Sequence, residues 1–457
     1  MACNRGCLPL TSCGAAACLP HPAKIEWPDA PIEPTPGPIP EPTYTPRQIL
    51  TGIGPRAGGI MQLNLTSDGA LISLQRNSVA YGKTVDGIYR AFSTNVPVFQ
   101  GGRVILDTVY ATDDQGIQYV NKPGLLIGPA VTNEWTRARE PDQWTGLSAG
   151  ASFIYAEDGI DGGTVAAPTL EDASGTVTAY YHQDFAVVDG ELVTVRVWSK
   201  KDATATVHPR MQIVFAGGTQ HADFNIAWNV ADGTHNAPSL ASLTVADDGD
   251  WWIVTAAMTN DFTGNTTCSV RLCPSSHPGN FVNDVALTGS NTFDAPELYR
   301  EIQPEMVKGL PPVLNTTDAP MVREQDVVTI TGASATSGAI FSQCKTHETG
   351  TVYDAFAAYD STIGPSGQAS MNFDDGTTQF AADYAPELWI NLGVVWDVTD
   401  ALMGATVGQV ATADYAFDGG IYTTLTLGSA DSVVELRSLQ VFDQTEDTTS
   451  TPVIIGA

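Results

Sequence analysis

Short stretches in which apolar and polar residues alternate recur along most of the chain. The clearest are ELVTVRVWSK at 191–200, MQIVFAG at 211–217, DWWIVTAAMT at 250–259, LWINLGVVWDV at 388–398, GIYTTLTLG at 420–428 and SVVELRSLQVFD at 432–443. A repeat of two residues places alternate side chains on opposite faces, as in a half-buried strand. Gly, Asp and Asn separate these stretches, and amphipathic helical repeats are scarce. The pattern predicts an all-β protein built from tandem β-sandwich (jelly-roll) domains.

The N-terminal 46 residues lack this alternation. Residues 1–19 contain Cys3, Cys7, Cys13 and Cys18, and residues 20–46 contain proline at nearly every second or third position. Proline at this density is incompatible with a helix or a sheet interior and favours extended polyproline II. The sequence therefore predicts an extended anchoring leader at 1–19 and a stalk at 20–46. A disordered tail is the alternative interpretation of the same composition.

Length and charge limit the classes of function. The chain has 457 residues, which is enough for roughly two to four domains. Its 21 Lys and Arg residues stand against 51 Asp and Glu residues, so its formal net charge is -30. Such an acidic chain disfavours nucleic acid and anionic membrane surfaces as partners. No apolar run in the sequence is long enough to cross a bilayer, so we also predict no membrane insertion.

Two neighbouring segments carry a more specific pattern, QRNSVAYGKTVDGIYRAFSTNVPVFQGG at 75–102 and KPGLLIGPAVTNEW at 122–135. An arginine, small residues and a tyrosine precede a glycine turn, an Asn-x-Pro-x-Phe step and a Gly-Leu-Leu-Ile segment. This pattern resembles one in virion proteins of tailed bacteriophages, which implies a structural role. The residues that fit it are Arg76, Ser78, Ala80, Tyr81, Gly87, Asn95, Pro97, Phe99, Gly124, Leu125, Leu126, Ile127, Thr132 and Asn133. Val98, Gly128 and Val131 depart from it, because the pattern usually has charged residues there.

The resemblance also implies a domain order. In such virion proteins the pattern usually leads into a jelly roll similar to carbohydrate-binding modules, and residues 133–308 are similar to such a domain. Residues 321–457 resemble a concanavalin-like or laminin-G-like β-sandwich. GLPPVLNTTDAP at 309–320 indicates a linker between the two, and residues 47–132 become a β-rich connecting segment.

The resemblance implies a virion fibre or spike on the tail, neck or head, assembled in the host cytoplasm and then extracellular. The expected partners are other virion proteins bound through the leader, further copies of the chain in a homotrimer, and a host-surface polysaccharide. The sequence has no P-loop, H-E-x-x-H or C-x-x-C motif, and no G-x-S-x-G run stands between a strand and a helix, so we predict no enzymatic activity. Two alternatives stay open, a polysaccharide depolymerase tailspike and a bacterial surface adhesin.

Aromatic and acidic residues supply the candidate ligand sites. Sugar rings stack on exposed aromatic rings, and the candidates within 133–308 are Trp251, Trp252, Trp228, Trp198 and Tyr181. Adjacent strand residues point to opposite faces, so one of Trp251 and Trp252 should face outward and contribute to glycan binding. No cofactor is predicted apart from calcium, for which oxygen-rich turns offer Asp158, Asp161, Asp247 and Asp248 without EF-hand spacing.

The leader cysteines predict covalent attachment. The chain has seven cysteines, an odd number that leaves at least one thiol without an intramolecular partner. The leader is too short to fold alone, and a virion passes from a reducing cytoplasm to oxidising surroundings. We therefore expect Cys3, Cys7, Cys13 and Cys18 to form disulfides between copies of the chain or to the virion protein beneath it.

Overall fold

Strands dominate the fold. The computed structural model describes residues 48–51, 71–83, 87–94, 98–100, 111–112, 118–119, 124–219, 222–236, 242–260, 262–331, 337–346, 350–354, 358–363, 369–374, 379–384, 390–397, 402–407, 410–411, 415–416, 424–427 and 433–442. Within them, one α-helix (α1, Pro304–Gly309) and one 3-10 helix (Pro141–Gln143) accompany the strands, which confirms the all-β prediction for this part of the chain. No described helix has the length and apolar content that crossing a membrane requires. The predicted leader and stalk, with the four leader cysteines, lie outside the described residues.

The strands fall into three stretches of the chain. Before residue 134 they are β1 (Gln48–Thr51), β2 (Leu71–Gln75), β3 (Ala80–Lys83), β4 (Tyr89–Phe92), β5 (Val98–Gln100), β6 (Ala111–Thr112), β7 (Gln118–Tyr119), β8 (Gly124–Ile127) and β9 (Val131–Asn133). Between residues 134 and 303 they are β10 (Gly146–Leu147), β11 (Ala151–Glu157), β12 (Ala167–Asp172), β13 (Tyr181–Ala186), β14 (Leu192–Lys200), β15 (His208–Ala216), β16 (Ala222–Ala227), β17 (Ser242–Asp248), β18 (Trp251–Thr259), β19 (Thr267–His277) and β20 (Gly289–Arg300). After residue 320 they are β21 (Met321–Arg323), β22 (Val327–Thr331), β23 (Ser337–Thr346), β24 (Gly350–Asp354), β25 (Ala358–Ile363), β26 (Ala369–Asp374), β27 (Gln379–Tyr384), β28 (Ile390–Asp397), β29 (Leu402–Val407), β30 (Val410–Ala411), β31 (Tyr415–Ala416), β32 (Thr424–Leu427) and β33 (Val434–Phe442). The six stretches with the clearest alternation form β14, β15, β18, β28, β32 and β33, as predicted.

The middle stretch forms a sandwich of two antiparallel sheets. The five-stranded sheet has the order β10-β13-β19-β15-β16, and the six-stranded sheet has the order β11-β12-β20-β14-β18-β17. Alternate residues of both sheets share one core, including the fully buried Val193, Val195, Val197, Met211, Ile213 and Phe215. Burying such a side chain contributes about 1.5–3 kcal/mol, so this shared core stabilises the sandwich.

Strands from both ends of the described chain build two further sheets together. β33 pairs with β1 and with β8, and β22 pairs with β2. The middle sandwich is therefore inserted between strands that pair with one another. The sequence-based division into a connecting segment at 47–132 and a separate sandwich at 321–457 does not follow this pairing. Local alternation identifies a strand but not its partner, because the partner lies far away in sequence.

The chain enters and leaves the inserted sandwich at one place. β9 and β21 lie side by side there as an antiparallel pair. The carboxylate of Asp326, which is 0% exposed, accepts a hydrogen bond from Arg76 at 2.8 Å, another from Arg323, and a third from the Gly128 backbone N–H at 3.0 Å. A buried carboxylate is tolerated only when such donors satisfy it, so these contacts fix the junction.

The predicted linker at 309–320 packs against the sandwich along its first half. Leu310, Val313 and Leu314 are at most 4% exposed, whereas residues 316–320 are exposed. The guanidinium of Arg196, which lies on β14, donates to three backbone carbonyls within 307–311. The segment therefore differs from a solvated linker, because its apolar side chains and its carbonyl oxygens both find partners on the six-stranded sheet.

Candidate functional site

Three of the five predicted sugar-stacking residues lie in the interior. Trp198, Trp228 and Tyr181 are 0% exposed. The indole N–H of Trp228 donates to Ser199 Oγ at 3.1 Å, and the Tyr181 hydroxyl donates to the backbone carbonyl of Ser152. A ring without an exposed face cannot stack on a sugar, so these three residues contribute to the core instead.

The adjacent tryptophans of β18 differ in exposure. Trp251 is 7% exposed and belongs to the core cluster. Trp252 is half-buried, its indole N–H donates to the Val230 carbonyl at 2.9 Å, and Lys201 Nζ lies 4.1 Å from its ring centroid. Of the five predicted rings, Trp252 is therefore the most accessible, with Lys201 placed over it.

The first predicted calcium turn is occupied by protein contacts. Asp158 accepts a hydrogen bond from the Val165 backbone N–H at 2.8 Å. Asp161 accepts hydrogen bonds from both terminal nitrogens of Arg139, at 3.1 and 2.9 Å. Burial acts to raise the pKa of Asp161, but the hydrogen bonds and charge of Arg139 outweigh burial and hold that pKa below its usual value. Asp161 is therefore an ion-pair partner of an arginine in this structure.

The second predicted calcium turn is also occupied. Asp247 lies 2.7 Å from Lys201 Nζ. Asp248 pairs with Lys83 and accepts a hydrogen bond from the Trp198 indole N–H at 2.9 Å. Among the residues that the structure describes, no group of three or more His, Cys, Asp or Glu side chains is arranged to hold a metal ion.

The outer face of the five-stranded sheet collects polar side chains. On β15, Ile213 points into the core, so the neighbouring residue Gln212 points outward together with Arg210. On β19, Leu272 points into the core and Arg271 points outward. The same alternation that builds the core therefore places arginine and glutamine on the opposite side of the sheet.

Strand register brings these side chains together. Arg271 stands directly opposite His182 of β13 and opposite Gln212 of β15. Gln212 in turn stands opposite Asn225 of β16. We use the name "polar face" for the side chains of Tyr180, His182, Arg210, Gln212, Asp223 and Arg271. Asp223 is exposed, Gln212 is buried beneath its neighbours, and the other four are half-buried.

A chain of contacts fixes the centre of the polar face. Arg271 Nη1 donates to Gln212 Oε1 at 3.1 Å, and Gln212 Nε2 donates to both carboxylate oxygens of Asp223 at 2.7 Å. The guanidinium carbon of Arg271 lies 4.8 Å from the ring centroid of Tyr180, which lies 5.6 Å from that of His182. The glutamine amide is therefore oriented, and the guanidinium is held between an aromatic ring and an amide.

Three nitrogens of the polar face, His182 Nδ1, Arg210 Nε and Arg271 Nε, have no hydrogen-bond partner among the described residues. A shielded polar atom without a partner costs about 1–3 kcal/mol, so such a group calls for an explanation. Burial lowers the pKa of His182, and although Asp184 opposes this effect, the charge of Arg271 adds to it. The imidazole is therefore neutral at pH 7 and can both donate and accept a hydrogen bond.

The sequence-based candidates missed the polar face because they were chosen by ring type. The signal that could have found it is the alternation itself. In HPRMQIVFA at 208–216 and CSVRLC at 268–273, polar residues alternate with apolar ones. The apolar positions predict a buried side of each strand, so the polar positions predict an outward side. Two such strands side by side predict a polar row on one side of a sheet.

Comparisons with known proteins leave the family open. No family model matches the chain, and no curated protein matches it. The receptor-binding domain of botulinum neurotoxin C/D mosaic serotype is similar at 9% identity and a TM-score of 0.21 over 29% of this chain and 40% of the toxin chain. The SAP-like pentraxin from Limulus polyphemus is similar at 13% identity and a TM-score of 0.23 over 27% of this chain and 72% of the pentraxin. Domains LG4-5 of the mouse laminin α1 chain are similar at 11% identity and a TM-score of 0.17 over 67% of this chain and 94% of the laminin chain. TM-scores this low assign neither a fold family nor a ligand.

Proposed function

We propose that the chain is a non-enzymatic virion protein of a tailed bacteriophage, a fibre or spike for attachment or decoration. In this proposal the inserted sandwich binds a host-surface glycan through the polar face and needs no cofactor. The chain assembles as a homotrimer, and its leader binds other virion proteins through disulfides of Cys3, Cys7, Cys13 and Cys18. The polar face is the observation that carries the glycan-binding part.

The chemistry of the polar face suits a sugar. Sugar hydroxyls donate and accept hydrogen bonds, and the face offers guanidinium donors, the carboxylate acceptor of Asp223 and the neutral imidazole of His182. The ring of Tyr180, directly before β13, adds an amphipathic surface beside these groups. Oriented polar groups beside an aromatic ring are the usual composition of a small-ligand site.

The pattern shared with tailed-phage virion proteins supports the virion part. Arg76 Nε donates to the Ser78 carbonyl at 3.0 Å, and Ser78 Oγ accepts from the Glu324 backbone N–H at 2.7 Å. Asn133 Nδ2 donates to the Val313 carbonyl at 2.8 Å. These pattern residues hold chain segments together near the β9–β21 junction, which agrees with the structural role that the resemblance implies.

Biolayer interferometry on immobilised host capsule and lipopolysaccharide tests glycan binding by the purified full chain. We expect saturable binding, and we expect Tyr180→Ala to weaken it about tenfold, since losing one ring contact of about 1.4 kcal/mol has that effect. Tyr155→Ala is the matched control, because Tyr155 is 42% exposed on β11 of the other sheet. Absence of binding to every glycan tested would refute the glycan-binding part.

Purified virions test the remaining parts. Mass spectrometry should detect the chain in the particles, and its absence there would favour the surface-adhesin alternative. Non-reducing electrophoresis of the virions should show higher-mass species that collapse to 48.3 kDa on reduction. Light scattering on the purified full chain should give the mass of a trimer. A reducing-end assay on the bound polysaccharide should show no new ends, since new ends would favour the depolymerase.

A further inference from the structure

Most of the arginines whose side chains the structure describes are paired with a carboxylate. Six of those described have a carboxylate oxygen within 3.6 Å, namely Arg76, Arg137, Arg139, Arg196, Arg300 and Arg323. Within the described part of the chain, Arg210 and Arg271 of the polar face have no such partner. The chain has 51 acidic and 21 basic residues, so a shortage of carboxylates does not explain why an arginine lacks a carboxylate partner. Two unpaired arginines on one face therefore distinguish this face from the rest of the described surface.

The two guanidinium groups lie on neighbouring strands. Arg210 stands opposite Cys273, and Arg271 stands opposite Gln212. The two arginines are thus diagonal neighbours, with Cα atoms about 7–8 Å apart. Arg210 Nη1 and Arg271 Nη2 make no hydrogen bond to any described residue. A guanidinium presents its N–H groups as a planar fork that matches a carboxylate, so both residues keep a donor for an acidic ligand.

Neither nearby carboxylate, Asp184 or Asp223, forms an ion pair with Arg210 or Arg271 among the described residues. Both oxygens of Asp223 accept from the Gln212 amide, and Asp184 lies 4.0 Å from His182 Nε2. We infer that the polar face recognises an acidic polysaccharide, with a sugar carboxylate bound by Arg210 and Arg271. This inference rests on the proposed glycan-binding function and specifies the class of glycan.

The charge of the whole chain favours a polysaccharide over nucleic acid. The net charge of -30 repels any polyanion, but salt limits this repulsion to about 8 Å. Duplex DNA carries one charge per about 1.7 Å along its axis, and binding it needs many cations. A uronate polymer carries one charge per acidic sugar and also offers hydroxyls, so a single pair of arginines with neutral polar neighbours is sufficient for it.

Biolayer interferometry with defined polymers tests the inference on the purified full chain. The uronate probes are polygalacturonate, alginate and hyaluronate, and the neutral probes are fully methyl-esterified polygalacturonate and dextran, with duplex DNA as a third class. We expect at least one uronate polymer to bind about tenfold or more tightly than every neutral probe and than DNA, and added salt should weaken that binding. Equal or tighter binding of a neutral probe would overturn the inference and leave the proposed function standing. Equal binding of DNA would overturn the inference, and absence of binding to any polysaccharide would overturn both.

Substitutions locate the binding groups. Arg210→Gln and Arg271→Gln should each weaken uronate binding about tenfold, and Arg271→Lys should weaken it less, because lysine keeps the charge and loses the fork. Lys308→Gln is the control, since Lys308 is exposed on α1, which packs on the other sheet. Circular dichroism confirms that each variant is folded. Unchanged binding by folded Arg210→Gln and Arg271→Gln would overturn the assignment to the polar face.

Discussion

Arg196→Met tests how the inserted sandwich holds the segment that follows it. Arg196 is 1% exposed and Glu297 is 0% exposed. Arg196 Nε donates to Glu297 Oε2 at 2.6 Å, and its terminal nitrogens donate to three carbonyls within 307–311. Glu297 Oε1 accepts from the Val313 backbone N–H at 2.5 Å. Methionine fills a similar length without any donor, so the substitution removes all of the side-chain hydrogen bonds of Arg196 at once.

The expected loss is large because both partners are buried. Removing one member of a buried ion pair costs about 3–5 kcal/mol, since the remaining charge loses its partner. The three carbonyls that lose their donor place the expected loss of unfolding free energy at the upper end, about 4–5 kcal/mol at pH 7. Arg137→Met is the matched control, because the Arg137–Glu140 pair is 34% and 39% exposed. Its loss should stay below about 1 kcal/mol.

The pH dependence of the stability loss distinguishes two causes of that loss, a buried charge without its partner and a change in packing. Burial raises the pKa of Glu297 above its usual value, although Arg196 opposes this effect. Without Arg196, that pKa rises further, so the folded variant binds a proton more tightly than the unfolded chain. Because the unfolded state is common to both proteins, the stability of the variant relative to the wild type is greatest below the folded-state pKa of Glu297 in the wild type and falls as pH rises towards its higher folded-state pKa in the variant. The deficit should therefore shrink on acidification through the range between these two pKa values, by up to about 1.4 kcal/mol per pH unit.

Urea unfolding followed by tryptophan fluorescence measures the deficit across this pH range. Hydrogen exchange should also become faster within 307–313 in Arg196→Met, because the segment loses its donors. A deficit below about 1 kcal/mol, or one that does not change with pH, would refute the reasoning.

Burial also sets the properties of other side chains. Burial and the charge of His208 lower the pKa of His277 to about 4, so unfolding free energy should fall as pH drops from about 6.5 towards 4, and urea titrations of His277→Gln should show a weaker dependence. Val165 has φ 51° and is 47% exposed, so Val165→Gly should stabilise the fold by about 0.5–1 kcal/mol in thermal unfolding, and a clear loss would contradict the strain argument. Burial raises the pKa of the Cys268 and Cys273 thiols, so neither should react with iodoacetamide in the folded chain, whereas fast labelling would show that they are accessible.

The sequence by itself determined the strand content. Alternation is a local property, because successive residues of a strand point to opposite faces whatever the strand packs against. The stretches at 191–200 and 250–259 could therefore be identified as strands from their own residues, and the structure places β14 and β18 there. The same alternation contains the signal that places Arg210 and Arg271 on the outward side of their strands.

Tertiary structure decided which rings are accessible. Trp198 lies on the side of β14 that also carries Arg196, yet the ring of Tyr89 from β4 lies 5.9 Å from it and Asp248 accepts its N–H. Neither contact can be read from residues 191–200, because a ring is exposed or covered according to segments distant in sequence. Burial of Trp198 therefore depends on contacts from β4 and β17 that the sequence of its own strand does not predict.

Tertiary structure also decided the pairing of strands and the chemistry of the polar face. Pairing of β1 with β33 and of β2 with β22 makes the middle sandwich an insertion, and local patterns carry no information about register between distant strands. Arg271 could be placed on an outward face from sequence, but its lack of a carboxylate partner depends on what neighbouring strands present. Charge pairing is a property of distances between strands, and the fold alone sets those distances.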